Sequence, residues 1–146
     1  MSGKWSTPLV FTVLLALALV AAACSPATST SATVVVATNA TYGKYLTDAK
    51  GMALYFYLPY AAAKGTCFGC LAAWPALTVA KGSTPVAGAG VTGKLGTITR
   101  DDGMLQVTIN DRPLYYFAQD EVAGDTRGHR FDVVGYLSDP TGKLIK

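Results

Sequence analysis

Two short segments carry the residues with the clearest chemical potential. Cys67 and Cys70 are separated by two residues in the segment CFGC, and Tyr115, Phe117 and Asp120 follow one another at intervals of two and three. The cysteines could form a structural disulfide, act as a redox pair or contribute to a metal site. The aromatic rings and the carboxylate could present a face to a cation or a polar ligand, or they could belong to a packed sheet.

The cysteine pair favours a structural disulfide over the other two chemistries. Its short ring gives a chain-entropy stabilisation of about 2 kcal/mol. The spacing also occurs in thiol oxidoreductases, but the βαβ context is missing. Zinc requires four ligands, and Cys67, Cys70 and the single histidine, His129, supply only three. Leu71 stands where a covalent c-type haem would need histidine. We therefore predict a disulfide with no cofactor, and keep redox activity and non-covalent metal or haem binding as alternatives.

The aromatic segment has an earlier counterpart, because residues 54–57 read LYFY and residues 114–117 read LYYF. Side chains alternate across a strand, and here both faces are apolar, which is typical of strands covered on both sides. We expect the rings to pack in a core, and Asp120 to accept backbone N–H groups from the turn that follows it. The alternative is a possible binding face. Its members would be Tyr115, Phe117, Asp120, Tyr55 and Tyr57.

The remaining residues supply no catalytic group, so we predict that the protein is not an enzyme. His129 lies in the charged segment GDTRGHRFD, where an exposed loop residue is expected, and Ser83 and Ser138 lie in turn sequences. The glycine-rich residues 88–96 lack the spacing of a phosphate-binding loop. The net charge is only +3 and the basic residues are scattered, so a nucleic-acid partner is not expected.

The N-terminal residues have the features of an export signal. Lys4 precedes an apolar run at residues 9–23. A membrane span needs about 20 residues, so this run is short for a span and typical of a signal-peptide core. Small residues lead into Cys24 in a pattern similar to a bacterial lipobox, and lipidation of Cys24 would leave the other two cysteines to pair. Cleavage without lipidation and an uncleaved anchor are the alternatives. We predict a lipoprotein signal peptide at 1–23 and a flexible tether at 24–33.

Short apolar runs separated by Gly and Pro predict an all-β domain at residues 34–146, after a signal-peptide helix. Turns are expected at 48–51, 101–103, 110–111 and 138–142. Pro75 limits a helical piece at 70–77 to about one turn, and residues 81–93 are expected to form a surface loop. Repeats at about 34–80 and 94–146 indicate a pseudo-two-fold sandwich or open barrel. Strands are expected at 33–38, 42–47, 52–58, 96–100, 104–109, 113–118, 133–137 and 143–145.

The segment Tyr115-x-Phe117-x-x-Asp120 resembles the Tyr-x-aromatic-x-x-Asp motif of bacterial secreted-repeat lipoproteins of unknown function. The segment CFGCLAAWP, the duplication and the run GDT at 124–126 extend this resemblance over nearly the whole domain. It implies an exported, often lipid-anchored domain built from repeats. Tyr60 stands where the first copy would carry the acid, so a symmetric two-acid site is not available.

Together these features predict a lipid-anchored, non-enzymatic binding or scaffolding module on the outer face of the bacterial cytoplasmic membrane or in the cell envelope. Its partners would be the membrane, through Cys24, and an unidentified envelope protein or small ligand. An envelope redox or electron-transfer accessory that uses Cys67 and Cys70 or the tyrosines is the alternative.

Overall fold

A computed structural model describes residues 1–3, 31–60 and 69–146. Over these residues the chain forms eight short strands and two 3₁₀ turns, at Leu58–Tyr60 and Phe131–Val133, and no α-helix, which confirms the all-β prediction. The strands are β1 (Val35–Asn39), β2 (Gly43–Thr47), β3 (Tyr55–Tyr57), β4 (Thr78–Val79), β5 (Leu95–Thr99), β6 (Leu105–Ile109), β7 (Arg112–Pro113) and β8 (Gly135–Leu137). Within the described ranges, no helix has the length and apolarity to cross a membrane.

Three predicted features lie outside the described residues. They are the signal segment with Cys24, most of the tether, and Cys67. The described part of the tether already contacts the domain, because the Thr33 backbone N–H donates to the Val86 carbonyl at 2.8 Å. The segment at 81–93 contains no strand, as predicted, but it lies along the start of β1 through a bridge between Val34 and Ala87.

Two antiparallel hairpins form, because β1 pairs with β2 and β5 pairs with β6. The turn at 40–42 between β1 and β2 was not predicted, and the predicted turn at 48–51 leads only to an isolated bridge between Thr47 and Ala53. The turn of the second hairpin, at 101–103, lies where the sequence predicts one. In the second turn the Asp102 Oδ1 atom accepts the Met104 N–H at 3.0 Å, and Gly103 has a φ of 80°, a left-handed conformation that glycine adopts at little cost. At the next turn, Asn110 and Asp111 have φ values of 49° and 63° and lead β6 into β7.

The two aromatic segments meet at the centre of the domain. Tyr55 and Tyr115 exchange both of their backbone hydrogen bonds, at 2.8 and 2.9 Å, as directly opposed residues of an antiparallel pair. On its other side, Tyr55 pairs with Leu137 in β8, and Tyr115 pairs with Ala76. The chain that follows each aromatic segment therefore pairs with the aromatic segment of the other half.

Further backbone hydrogen bonds occur in equivalent pairs, with one donor in each half of the domain. Leu54 donates to Leu46 in the first half, and Leu114 donates to Val107 in the second, both at 2.9 Å. Two later pairs also correspond, since the N–H of Leu58 donates to Val134 at 2.8 Å and that of Ala118 donates to Ala73 at 2.9 Å. The backbone thus has a local two-fold arrangement about the Tyr55–Tyr115 pair.

Predicted strands at 113–118 and 143–145 are shorter than expected, whereas the helical piece at 70–77 has the expected length. The prediction of a strand at 113–118 is wrong beyond Pro113. Past this residue Tyr115 forms only isolated bridges, to Tyr55 on one side and to Ala76 on the other. The predicted helical piece at 70–77 is one hydrogen-bonded turn, as expected, in which the Trp74 N–H donates to the Cys70 carbonyl at 2.7 Å. Pro75, which lacks a backbone N–H, follows this turn directly. The last predicted strand, 143–145, is reduced to a bridge between Ser138 and Leu144.

The aromatic segments separate two hydrophobic clusters. Leu54, Phe56 and Leu114 point into an aliphatic cluster, while Tyr55, Tyr115 and Phe117 point into an aromatic one. This alternation agrees with the period of two expected of extended chain. The aromatic cluster comprises Tyr45, Ala53, Tyr55, Trp74, Tyr115, Phe117 and Leu137, all buried.

Candidate functional site

A cleft of about 590 Å³ opens where the aromatic cluster reaches the surface. Two segments form its walls. One is the turn at 69–74, and the other is the segment at 131–134, which we call the cleft loop. The lining residues are Tyr57, Pro59, Gly69, Cys70, Ala73, Trp74, Phe131, Asp132 and Val134. This volume lies in the range of small-molecule sites, which are concave and mostly apolar with a few polar groups.

The cleft is built on a continuous set of rings. Trp74, with only 3% of its surface exposed, lies 5.5 Å from Tyr57 and 4.7 Å from Phe117 between ring centroids. Phe117 in turn lies 4.7 Å from Phe131, which is 36% exposed. Phe117 therefore supports two rings of the cleft from below, and Trp74 is held by rings on both sides.

The cleft loop has an unusual backbone. Asp132 and Val133 have φ values of 49° and 53°, and the preceding Arg130 has 61°. Left-handed conformations cost roughly 1–2 kcal/mol for most L-residues, and a β-branched residue is a genuine outlier there. Val133 is also 71% exposed, so little burial compensates the cost at that position. Strained backbone of this kind is concentrated at functional sites.

Local hydrogen bonds hold the loop in this shape. The Arg130 N–H donates to the Gly135 carbonyl at 2.7 Å, and the Val134 N–H donates to Phe131 at 3.0 Å. Gly135 must be glycine, because a Cβ atom there would overlap the Trp74 ring. Gly128 must also be glycine, because a Cβ atom there would lie 2.7 Å from Cβ of Phe117.

Asp120 does not line the cleft and forms two hydrogen bonds. Its Oδ2 atom accepts the Tyr55 hydroxyl at 2.6 Å, and its Oδ1 atom accepts the Arg127 backbone N–H at 2.9 Å. The second bond is of the kind expected from the sequence, to the turn after Asp120. Burial raises the pKa of Asp120, although the bond from Tyr55 opposes the shift. Burial, and then the bond to Asp120, raises the pKa of Tyr55.

The residues predicted as a possible binding face do not share an open surface. Tyr55, Tyr115 and Phe117 are at most 2% exposed and belong to the core, and Asp120 is 8% exposed. Of the five, only Tyr57 lines the cleft. Cys70 also lines the cleft, but Cys67 lies outside the described residues, so the disulfide and its redox alternative stay predictions.

His129 is less exposed than the sequence suggested. Its ring lies 4.5 Å from the Tyr42 ring and 5.9 Å from that of Tyr136, and its Nδ1 atom accepts the Leu137 backbone N–H at 3.3 Å. Burial, followed by the charge of Arg130, lowers its pKa. His129 therefore supports β8 as a neutral ring. Within the described ranges, no group of three or more His, Cys, Asp or Glu residues could hold a metal ion.

The cleft residues Trp74, Phe131 and Asp132 were not predicted as site residues from the sequence. The signal available was an apolar pair, Phe131 and Val133, placed in a charged and otherwise exposed segment. The positions of Trp74, Phe131 and Asp132 around the cleft depend on the left-handed backbone of the cleft loop and on the crossed pairing of the two halves. Neither feature follows from a local pattern.

Comparison with known proteins identifies one segment. Residues 96–133 match a lipoprotein family described as a secreted repeat of unknown function. The chain therefore carries this repeat, which confirms the family prediction over that segment and supports an exported protein. The match runs from β5 into the cleft loop and includes Asp120, Phe131 and Asp132, whereas Trp74 lies outside it. No curated protein and no solved structure matches the chain.

Proposed function

We propose that this secreted-repeat protein is a non-enzymatic binding module, lipid-anchored through Cys24 at the cell envelope, and that its aromatic cleft takes a ligand. Small residues before Cys24 and the match to a secreted lipoprotein family support the anchor. The cleft supports a binding function, because it combines partly exposed aromatic rings, Tyr57 and Phe131, with one acidic group. Such pockets are the usual form of small-ligand sites.

One observation carries the proposal above all others. The cleft loop keeps Phe131 beside the ring cluster by means of a left-handed backbone at Asp132 and Val133. A loop with relaxed backbone would cost less, and the exposed Val133 gains little from its position. The cost of this conformation is explained if a preorganised cleft is useful, because preorganisation lowers the entropic cost of binding.

Trp74 provides a direct optical test of ligand binding. The chain has two tryptophans, so a Trp5→Phe variant of the full chain leaves Trp74 as its only indole. We expect its fluorescence to change on titration with at least one class in a panel of planar heterocycles, sugars, short peptides and organic ammonium ions. Phe131→Ala should weaken that response, whereas Met104→Ala, an exposed apolar residue of the distant β5–β6 turn, should not.

The same panel can contradict the proposal. If no class of probe changes Trp74 fluorescence, the cleft is not a ligand site. If Met104→Ala weakens a response as much as Phe131→Ala does, the response does not come from the cleft.

The anchor is tested separately by metabolic labelling with an alkyne fatty acid in a bacterial host. The full chain should incorporate label and remain with the membrane fraction, because the thiol of Cys24 is the proposed acceptor. The Cys24→Ser variant should carry no label, and a Ser25→Ala variant should behave as the parent. Equal labelling of the Cys24→Ser variant would refute the assignment.

A further inference from the structure

We propose that the cleft binds an organic ammonium cation, of the quaternary or fully methylated type; this inference rests on the proposed binding function of the cleft. Three aromatic side chains and one carboxylate form the recognising surface. They are Tyr57, Trp74, Phe131 and Asp132.

The rings favour a cation over a neutral or anionic ligand. An aromatic face attracts a cation within about 6 Å of its centroid, with about 0.5–2 kcal/mol per ring depending on desolvation. Tyr57 and Trp74 lie 5.5 Å apart at an interplanar angle of 37°, so their planes are neither stacked nor perpendicular. Phe131 contributes a partly exposed ring from the opposite wall. Tyr57 and Phe131 line the same cleft, so a cation bound there lies beside both rings, whereas Trp74, with 3% of its surface exposed, offers little of its face.

The charges around the cleft point to the same ligand. Asp132 is the only formally charged group among the described lining residues, and none of the ion pairs within the described ranges involves it. The nearest cation along the chain, Arg130, lines a different cavity of about 240 Å³ together with Lys146. The strained segment therefore places its acid at the aromatic cleft and its base elsewhere, which disfavours an anion in the cleft.

The shortage of polar groups argues against a sugar or a primary amine. A sugar requires several converging donors and acceptors, and polar groups left unpaired on burial cost about 1–3 kcal/mol each. The described polar side chains of the cleft are few, and the Asp132 carboxylate is the main acceptor. A fully methylated ammonium has no N–H group to satisfy, so aromatic faces and one carboxylate meet all of its requirements.

The backbone fixes the acid in place before a ligand arrives. Asp132 has a φ of 49°, and Asp and Asn tolerate this conformation better than most residues do. An Asp132→Asn substitution therefore removes the charge while it keeps both the shape and the backbone preference. It is a clean test of the electrostatic part of the inference.

The experiment compares choline with 3,3-dimethylbutan-1-ol, a neutral molecule of the same shape in which carbon replaces nitrogen. Both are titrated against the full-length Trp5→Phe chain in nonionic detergent, with Trp74 fluorescence as the readout. We expect choline to bind about 10-fold more tightly, the factor that corresponds to roughly 1.4 kcal/mol of cation–π and carboxylate attraction. Asp132→Asn should reduce choline affinity several-fold without affecting the alcohol, and Phe131→Leu should also weaken choline binding.

A matched control is Asp101→Asn, which removes the same charge from an exposed position in the β5–β6 turn and should leave choline affinity unchanged. Equal affinities for choline and the alcohol would overturn the cation assignment and leave the cleft as a ligand site. An unaffected Asp132→Asn variant would overturn it too. Failure of both compounds to change Trp74 fluorescence would also end the cation assignment, and the wider probe panel would then decide the proposed function separately.

Discussion

At the scale of single residues, the buried Asp120–Tyr55 pair links the two halves of the domain. The carboxylate comes from the second half and the hydroxyl from the first, and their 2.6 Å bond joins Asp120 to a ring of the aromatic cluster. A second bond crosses in the other direction, because the Tyr116 hydroxyl donates to Asp48 Oδ2 at 2.9 Å. The acid of the family-like motif therefore has a structural role at the interface of the halves.

We expect Asp120→Asn to lower the free energy of unfolding by about 1–3 kcal/mol. Tyr55 and Arg127 donate to different oxygens of Asp120, and an amide keeps only one of these oxygens in place, so a buried donor loses its acceptor. Tyr55→Phe should cost a similar amount. The double variant should cost less than the sum, by about 0.5–3 kcal/mol of coupling. Urea unfolding of all three and of an Asp101→Asn control measures these differences, and additive losses would show that the pair is not coupled.

At the scale of elements, the turns were the most predictable features of the chain. Asn110-Asp111 and Asp102-Gly103 encode tight turns through residues that tolerate positive φ, and both turns form. The cleft loop follows no such code. A valine at positive φ contradicts local preference, so its conformation depends on contacts made elsewhere in the fold, such as that between Gly135 and Trp74.

We expect Val133→Gly to raise the stability of the domain by up to about 1 kcal/mol. Relief of the left-handed strain, roughly 1–2 kcal/mol, exceeds the entropic cost of glycine, roughly 0.5–1 kcal/mol. Val122→Gly is the matched control, because Val122 is 62% exposed and has no positive φ, so it should lose about 0.5–1 kcal/mol. Urea midpoints distinguish the two, and a loss for Val133→Gly equal to that of Val122→Gly would mean that the loop is not strained.

At the scale of the whole molecule, the duplication was visible in the matched LYFY and LYYF segments, and alternation correctly divided their side chains between two core clusters. The crossed pairing of the two halves could not be predicted from the sequence. It joins Tyr55 to Leu137 and Tyr115 to Ala76, contacts between residues far apart in the sequence. The cleft arises from that crossing, which brings the turn at 69–74 beside the loop at 131–134. Local patterns contain no information on such juxtapositions.

The proposed function places ligand binding in the aromatic cleft. The most direct test is amide chemical-shift mapping of the ¹⁵N-labelled full chain with and without choline. We expect the largest shifts on residues 69–74 and 131–134, and smaller shifts there in the Asp132→Asn variant. Shifts centred instead on Tyr136, Leu144 and Lys146, which line the second cavity, would contradict it.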